Sequence, residues 1–394
     1  MLKDQVVGCM VGGAVGDALG YAVEFSSWPQ IRSKYGEKGI TRYELDQRGL
    51  AQISDDTQMS LFTAAGGLLG MTRGYMRGIM GRIDTYCHNT YRGWLQTQEL
   101  PCRPSRDEYG LAPGFTWLLD VPELYARRAP GNTCLSALEA ESRGQEPNNN
   151  SCGCGGVMRT APLALLNYVH KYANGDVLYC DMCAAEAARI THKHPLGFIP
   201  SAILNHILME MMAGLEDRQL RPEYFVEKAL SALPEVTSEP DKHKTYGELW
   251  PKYIAEQRAL IAKALDLAYT DTPDPVAIES IGGGWTGQEA LAIAIYSAVK
   301  HPESFEAAII SSVNHSGDSD STGAVCGNIM GCLLGRKAIP AHYTDNLELL
   351  SVIEEMANDL YTGCIISEYS PIDTPEKKRW YQKYCNMQWT PLNK

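Results

Sequence analysis

The sequence predicts a mostly helical protein that folds as a single domain. Apolar residues recur at helical spacing over twelve stretches, whereas few stretches alternate with the period of two that is typical of strands. No low-complexity linker divides the 394 residues. The strongest acidic motifs lie near residues 55 and 320, so a site built from both would bring the two halves of the chain together.

The periodicity indicates a dozen or more helices, and 44% hydrophobic residues are enough for a large core. The predicted helices cover residues 5–24, 57–70, 73–98, 155–170, 177–191, 197–214, 222–232, 246–269, 285–300, 303–313, 321–335 and 344–362. Residues 38–53 are the segment in which a short hairpin is expected.

Glycine recurs every four residues in two of these helices. The first stripe is formed by Gly8, Gly12, Gly16 and Gly20, and the second by Gly323, Gly327, Gly331 and Gly335. Each glycine costs a helix about 1 kcal/mol relative to alanine, and close backbone packing between central helices would offset that cost. We therefore expect the two stripes to serve helix packing.

The second striped helix follows Asp318-Ser319-Asp320-Ser321, and another helix follows Ser54-Asp55-Asp56-Thr57. Aspartate and serine at a helix start commonly cap the helix. Capping accounts for one aspartate in each segment but less well for the second. Buried carboxylates without partners are very costly, and bound cations would offset that cost. Together the two segments offer only hard oxygen ligands, which suit Mg²⁺ or Mn²⁺ and argue against zinc or copper.

A glycine-rich loop, residues 148–156, leads into another predicted helix. Its small residues would let backbone amides approach a phosphate, although it fits neither a Walker A nor a dinucleotide motif. Arg159 beyond it is suited either to pairing a phosphate or to buttressing the loop through a buried carboxylate. Trp285, after three glycines, is suited to stacking on an adenine or to packing, and we expect packing.

The bulk properties exclude several classes of protein. A formal net charge of −12 argues against a nucleic-acid partner held by general electrostatics. The start of the chain has no signal-peptide pattern and no apolar run is long enough to span a membrane, so a cytoplasmic protein without a membrane partner is expected. The twelve cysteines are expected to be free thiols, and a zinc or redox role for Cys180 and Cys183 is not favoured.

Six segments in order resemble the ADP-ribosylglycohydrolase family, which includes the dinitrogenase reductase-activating glycohydrolase and the ADP-ribosylarginine and ADP-ribosylserine hydrolases. They are GCMVGGAVGDALGYAVE (8–24), SDDT (54–57), SCGCGGVMRTAP (151–162), THKHP (191–195), GGGWTGQEALA (282–292) and NHSGDSDSTGAVCG (314–327). The resemblance covers roughly residues 5–340. It implies an all-α fold, a single large orthogonal helical bundle, with a catalytic domain at residues 1–340 and a helical extension at 341–394 packed on it.

The resemblance also implies a dinuclear centre of two Mg²⁺ or Mn²⁺ ions in the middle of the bundle. One ion would be held by Ser54, Asp55 and Asp56, the other by Asp318 and Ser321, with Asp320 between them. Glu24 matches the acidic residue placed beside the metals, so Glu24, Asp55 and Asp56 are the candidate catalytic residues. Threonine often stands in the family where this chain has Ser54 and Ser321, and serine keeps the hydroxyl.

The same resemblance assigns the substrate-binding residues. The diphosphate would lie on the loop formed by Ser151, Cys152, Gly153, Cys154, Gly155 and Gly156, and the ribose near His192 and His194. From the residues alone, a histidine at such a position is usually a cap or a packed side chain, and only the resemblance favours a role in binding. Asp17, which shares a helix face with Glu24 if the helix persists that far, is expected to form structural hydrogen bonds.

The function implied is metal-dependent removal of ADP-ribose from a modified protein side chain by cleavage at C1″, with ADP-ribose as the product. Ser54-Asp55-Asp56-Thr57 resembles the arginine-directed branch, so arginine is the expected linkage. The alternatives are another ADP-ribose linkage (serine, a nucleic-acid base or O-acetyl-ADP-ribose) and a non-catalytic ADP-ribose-binding relative. Retention of all six proposed ligands argues against the second alternative.

Overall fold

The computed structural model of the chain describes residues 1–79, 81–102, 116–171, 176–215, 217, 221–236 and 250–391. Within these ranges it contains seventeen α-helices, short 3₁₀ helices and no strand, only two isolated β-bridges. The prediction of an all-α protein is therefore confirmed. The first residues of the predicted 246–269 helix lie outside the described ranges.

Most of the predicted helices are present, with shifted ends. Their bounds are α1 Leu2–Tyr21, α2 Trp28–Tyr35, α3 Asp55–Arg77, α4 Ile83–Glu99, α5 Asn132–Ser142, α6 Ala161–His170, α7 Val177–Arg189, α8 Pro195–Ala213, α9 Pro222–Val236, α10 Trp250–Ala268, α11 Asp274–Ile281, α12 Gly287–Lys300, α13 Phe305–Val313, α14 Ser319–Leu334, α15 Ala341–Thr344, α16 Leu350–Thr362 and α17 Pro375–Tyr384.

The glycine stripes serve helix packing, as predicted, and the structure shows that they pack α1 against α14 in antiparallel orientation. A methyl group at Gly12 would overlap with the backbone of Gly327, and one at Gly16 with the backbone of Gly323. Asn328 links the same helices by donating to the carbonyl oxygen of Cys9 over 2.9 Å. This close contact is extensive. It sets the start of α14 beside the end of α1, where the candidate site lies.

The hairpin expected over residues 38–53 is absent. The carboxylate of Asp46 accepts hydrogen bonds from the amides of Arg48 (2.8 Å) and Leu50 (3.0 Å), so side-chain contacts replace a strand ladder. Ala51 instead pairs with the segment before α16, donating to Asn346 and accepting from Glu348. The segment is therefore a loop fixed to the C-terminal part of the chain.

Two helix boundaries also differ from prediction. The predicted break near residue 71 falls at Gly78, which has φ +67° and ends α3, because glycine adopts this left-handed conformation without strain. The predicted helix over 155–170 begins as a 3₁₀ helix, Cys154–Arg159, and α6 starts anew with Pro162 in its first turn.

Among the residues that the structure describes, one apolar helix is long enough to cross a membrane by length and composition. It is α8, of which 89% is buried inside the protein over an 18-residue window of mean hydropathy 1.3. Burial of this kind is that of a core helix surrounded by other helices.

The last helix, α17, packs on α3 and α16. Trp380 Nε1 donates to Thr72 Oγ1 over 3.0 Å, and the buried Lys383 ammonium donates to Glu355 over 2.8 Å and to Asp359. A boundary at residue 340 between a catalytic domain and an extension stays a prediction.

Candidate active site

The start of α3 is fixed by a buried carboxylate of α1. Ser54 is the N-cap, and its hydroxyl accepts a hydrogen bond from the amide of Asp56 over 3.1 Å. Asp17 accepts from the amides of Ser54 and Thr57, both at 3.0 Å, and from the hydroxyl of Thr57. The expected structural role of Asp17 is thus confirmed by its contacts: it positions the Ser54-Asp55-Asp56 segment.

The start of α14 carries the second acidic segment. Asp318 is the N-cap and accepts from the amide of Ser321 over 3.2 Å, while Asp320 accepts from the same amide over 3.0 Å. The amide of Asp318 donates to Gly283 over 2.8 Å. Both acidic segments therefore cap helices, but not every carboxylate oxygen is used by the capping hydrogen bonds.

Four aspartates of these segments are buried together. Their exposed fractions are 4% for Asp55, 2% for Asp56, 4% for Asp318 and 3% for Asp320. Burial, reinforced by the charge of Asp320, raises the pKa values of Asp55 and Asp56 well above the ordinary range. Burial also raises the pKa of Asp318 to about 6. Because these charges act across the two segments, the starts of α3 and α14 lie near one another.

Glu24 belongs to the same cluster. Burial, followed by the charges of Asp320 and Asp55, raises the pKa of Glu24 to about 10. Glu24 Oε2 and Asp56 Oδ2 are buried with no hydrogen-bond partner among the described residues. Buried oxygens in this state are costly unless another group, such as a cation, binds them.

No ready-made coordination shell is present in the described ranges, where no three His, Cys, Asp or Glu side chains converge as metal ligands. The donor set itself fits a hard divalent cation, because it consists of carboxylate and hydroxyl oxygens. Asp56 Oδ2 is buried without a hydrogen-bond partner, so a bound cation would stabilise it.

The glycine-rich loop lies against this cluster through Cys154, whose thiol donates to Asp318 Oδ2 over 2.8 Å. Several of its amides already have partners: that of Ser151 donates to Asn149 Oδ1, that of Gly153 to Ser151 Oγ, and that of Cys154 to the carbonyl of Trp285. A diphosphate on this loop would have to replace some of these bonds or use the remaining amides.

The two histidines have different positions. His192 is 2% exposed beneath the loop, where a methyl group at Gly155 would lie 2.9 Å from its ring. Burial and the charge of Arg159 lower the pKa of His192 to about 3, so the ring is neutral. His194 caps α8, accepting from the amide of Leu196 over 3.1 Å, and its ring meets Tyr253 edge-on. For His194 the capping explanation therefore accounts for the contacts observed.

Arg159 buttresses the loop. The guanidinium is fully buried, donates to the carbonyl of Gly155 and to Thr191 Oγ1 (2.7 Å), and lies 4.6 Å above the ring of Tyr91. Of the two alternatives, buttressing fits these contacts, although a carbonyl and a hydroxyl accept where a buried carboxylate was considered.

Sequence reasoning missed one pair of residues at this site. Trp285 was expected to pack, yet 44% of it is exposed, and its ring stacks on Phe25, which is 70% exposed. The three glycines before Trp285 were the available signal: Gly284 has φ +79°, and a methyl group there would meet Thr322 and Asp318. Nothing in the local pattern distinguished Phe25.

Comparisons with known proteins show which family the chain resembles. The ADP-ribosylglycohydrolase family model matches residues 1–368. The ADP-ribosyl-[dinitrogen reductase] glycohydrolase of Rhodospirillum rubrum is 25% identical, with 88% of this chain and 92% of that protein covered. ADP-ribosylhydrolase ARH1 of Dictyostelium discoideum is 23% identical over 91% of this chain and 94% of its own length.

A solved structure shares the fold. The ADP-ribosylglycohydrolase-related protein complex superposes with a TM-score of 0.58 at 22% identity, covering 92% of this chain and 98% of that one. Since the family model spans nearly all of the sequence, the chain belongs to the ADP-ribosylglycohydrolase family.

Proposed function

We propose that this protein is a metal-dependent hydrolase that releases ADP-ribose from a modified arginine side chain of a protein by cleaving the bond at C1″. Membership of the family indicates a hydrolase that acts on ADP-ribose linkages. The observation that carries the proposal is the set of four buried aspartates, delivered by the starts of α3 and α14 and held together by the glycine contact between α1 and α14.

Two divalent cations, Mg²⁺ or Mn²⁺, would be held by the aspartates and their neighbouring hydroxyls. Ser54, Asp55 and Asp56 would hold one, Asp318 and Ser321 the other, and Asp320 both. When bound, such ions supply positive charge that orients sugar hydroxyls and acidifies a water molecule. The buried carboxylates and the unpartnered Asp56 Oδ2 support this assignment.

The remaining steps belong to the chain itself. Asp17 holds Ser54 and Thr57 in place, so the ligands of α3 are preorganised. Cys154 ties the glycine-rich loop to Asp318, which would set the distance between a diphosphate and the anomeric carbon. Glu24, which lies beside the aspartates, is the candidate general acid or base for proton transfer to the departing nitrogen.

The experiment that tests this function is hydrolysis of a panel of synthetic conjugates. Purified protein with Mg²⁺ or Mn²⁺ is incubated with ADP-ribosylarginine peptide, ADP-ribosylserine peptide, an ADP-ribosylated nucleic-acid base and O-acetyl-ADP-ribose, and free ADP-ribose is measured. We expect release from the arginine conjugate, loss of activity in EDTA because the carboxylates alone cannot bind the sugar, and recovery when metal is returned.

Three results would contradict the proposal. Preferential release from another conjugate would show that the enzyme hydrolyses a different linkage. Full activity in EDTA would show that hydrolysis does not require metal ions. Binding of ADP-ribose without release from any conjugate would make the chain a non-catalytic binding protein.

A further inference from the structure

Two exposed aromatic rings stack on each other at the rim of the carboxylate cluster. The ring centroids of Phe25 and Trp285 are 5.6 Å apart and their planes are 25° from parallel. Exposed fractions of 70% for Phe25 and 44% for Trp285 leave part of each ring open to solvent. Large exposed apolar side chains next to a polar site are typical of a surface that binds something.

Both rings come from segments that touch the cluster. Phe25 follows Glu24 directly in the chain. The loop of Trp285 contacts the cluster once and the glycine-rich loop once: Gly283 accepts from the amide of Asp318, and the carbonyl of Trp285 accepts from the amide of Cys154 over 3.2 Å. The ring pair is therefore carried by segments that adjoin both the carboxylates and the loop assigned to the diphosphate.

The backbone of Phe25 is strained. Its φ is +65°, in the left-handed region that a bulky side chain rarely adopts. Strain of this kind persists where the surrounding structure enforces it, commonly at functional sites. A residue that is both strained and 70% exposed contributes little to stability, so the position of the ring needs another explanation.

An exposed carboxylate is joined to the Trp285 loop by a short chain of contacts. Glu279 accepts from the hydroxyl of Ser316 over 2.8 Å, and Ser316 is also held by the amide of Trp28 over 2.8 Å. Ser316 adjoins Gly317, which packs directly on Gly283 in the Trp285 loop. Aromatic faces on a loop joined to an exposed carboxylate suit a cation, in keeping with the net charge of −12.

We propose that the Phe25–Trp285 pair binds the guanidinium group of the arginine from which ADP-ribose is removed, stacking that planar cation on an aromatic face. The inference rests on the proposed function and assigns the residues that choose the linkage. Arginine is suited to such a contact because the guanidinium is planar, always charged and weakly hydrated.

The reaction balances with this assignment. Water adds its oxygen to C1″, the bond from C1″ to the guanidine nitrogen breaks with its electron pair on nitrogen, and that nitrogen takes a proton. ADP-ribose and a free arginine side chain result. The ring pair contacts only the leaving side chain, so it affects binding of the conjugate and not binding of ADP-ribose.

The test compares variants that remove one ring at a time. Trp285→Ala and Phe25→Gly should each raise the KM for ADP-ribosylarginine peptide about tenfold, with a smaller change in kcat, while the Kd of ADP-ribose from calorimetry stays within about twofold. Trp285→Tyr should restore most of the loss. Phe25→Gly also relieves the strained φ, so an unchanged or raised Tm would show that unfolding is not the cause.

A matched control is Tyr369→Ala, which removes a ring that is 91% exposed in the C-terminal segment and should change nothing. A direct probe is agmatine, a free guanidinium, titrated into protein with Mn²⁺ and ADP-ribose: wild type should bind it and Trp285→Ala should not. An unchanged KM and unchanged agmatine binding, or an equal loss of ADP-ribose affinity, would overturn the inference. Absence of hydrolysis of every conjugate by wild type would instead contradict the proposed function.

Discussion

Replacing Asp320 by asparagine should lower kcat at least about 100-fold and weaken Mn²⁺ binding while the protein stays folded. Even groups that only orient metal ligands are worth about 10–100-fold, and Asp320 is assigned to both ions. Its carboxylate is 3% exposed and its charge acts on Asp55, Asp56 and Glu24. Turnover of the conjugate panel and Mn²⁺ binding by calorimetry measure the two effects.

The same variant should be more stable than wild type when no metal is present. A substitution that only damaged the site would not raise the stability. Burial and the charge of Asp318 raise the pKa of Asp320, so its contribution to folding is present below about pH 4 and is lost as the pH rises through the raised value. Asparagine does not titrate. In EDTA, Asp320→Asn should therefore have a higher Tm than wild type at pH 7.5, and the difference should shrink at pH 5.

The exposed Asp271 provides the control, since Asp271→Asn should leave activity and Tm unchanged. Normal turnover by Asp320→Asn would exclude its assignment to both ions. A lower Tm than wild type at pH 7.5 in EDTA would show that the carboxylates are not destabilising without a cation.

A methyl group added at Gly16 should have the largest effect on stability. The added Cβ in Gly16→Ala would overlap with the carbonyl of Gly323, and because both partners are backbone, no side chain can move aside. Overpacked substitutions cost about 1–3 kcal/mol and occasionally more, and this one requires two central helices to separate. We expect a loss of about 3 kcal/mol or more in unfolding free energy, measured by urea denaturation with wild type alongside.

Gly93→Ala in α4 is the matched control. It is also a helical glycine, but its Cβ would meet Phe62 at 3.4 Å, an ordinary contact. The higher helix propensity of alanine should leave the protein as stable as wild type or up to about 1 kcal/mol more stable. If Gly16→Ala were equally neutral, the close packing of α1 on α14 would be wrong.

The features of the fold that depend on residues close together in the sequence were predictable from it. The glycine stripes indicated close helix packing, and the acidic segments indicated the starts of α3 and α14, because both patterns depend on helix geometry alone. The structural role of Asp17 was expected, but its partners Ser54 and Thr57 were not.

Features set by contacts between distant segments were not predictable. The loop at 38–53 has strand-like residues, but Asp46 captures its amides and Ala51 pairs with residues near 347. The stacking of Phe25 on Trp285 joins residues 260 positions apart, and neither neighbourhood alone indicates the partner. Arg159 could not be assigned from the sequence because its acceptors are carbonyl and hydroxyl groups of the folded chain.

The central claim is that the aspartates of α3 and α14 hold two cations. Anomalous diffraction at the manganese edge, from crystals grown with Mn²⁺ and ADP-ribose, tests it most directly. We expect two anomalous peaks between residues 54–56 and 318–321, with Asp320 in contact with both. Manganese elsewhere in the protein, or no peak at these residues in crystals that contain ADP-ribose, would contradict the claim.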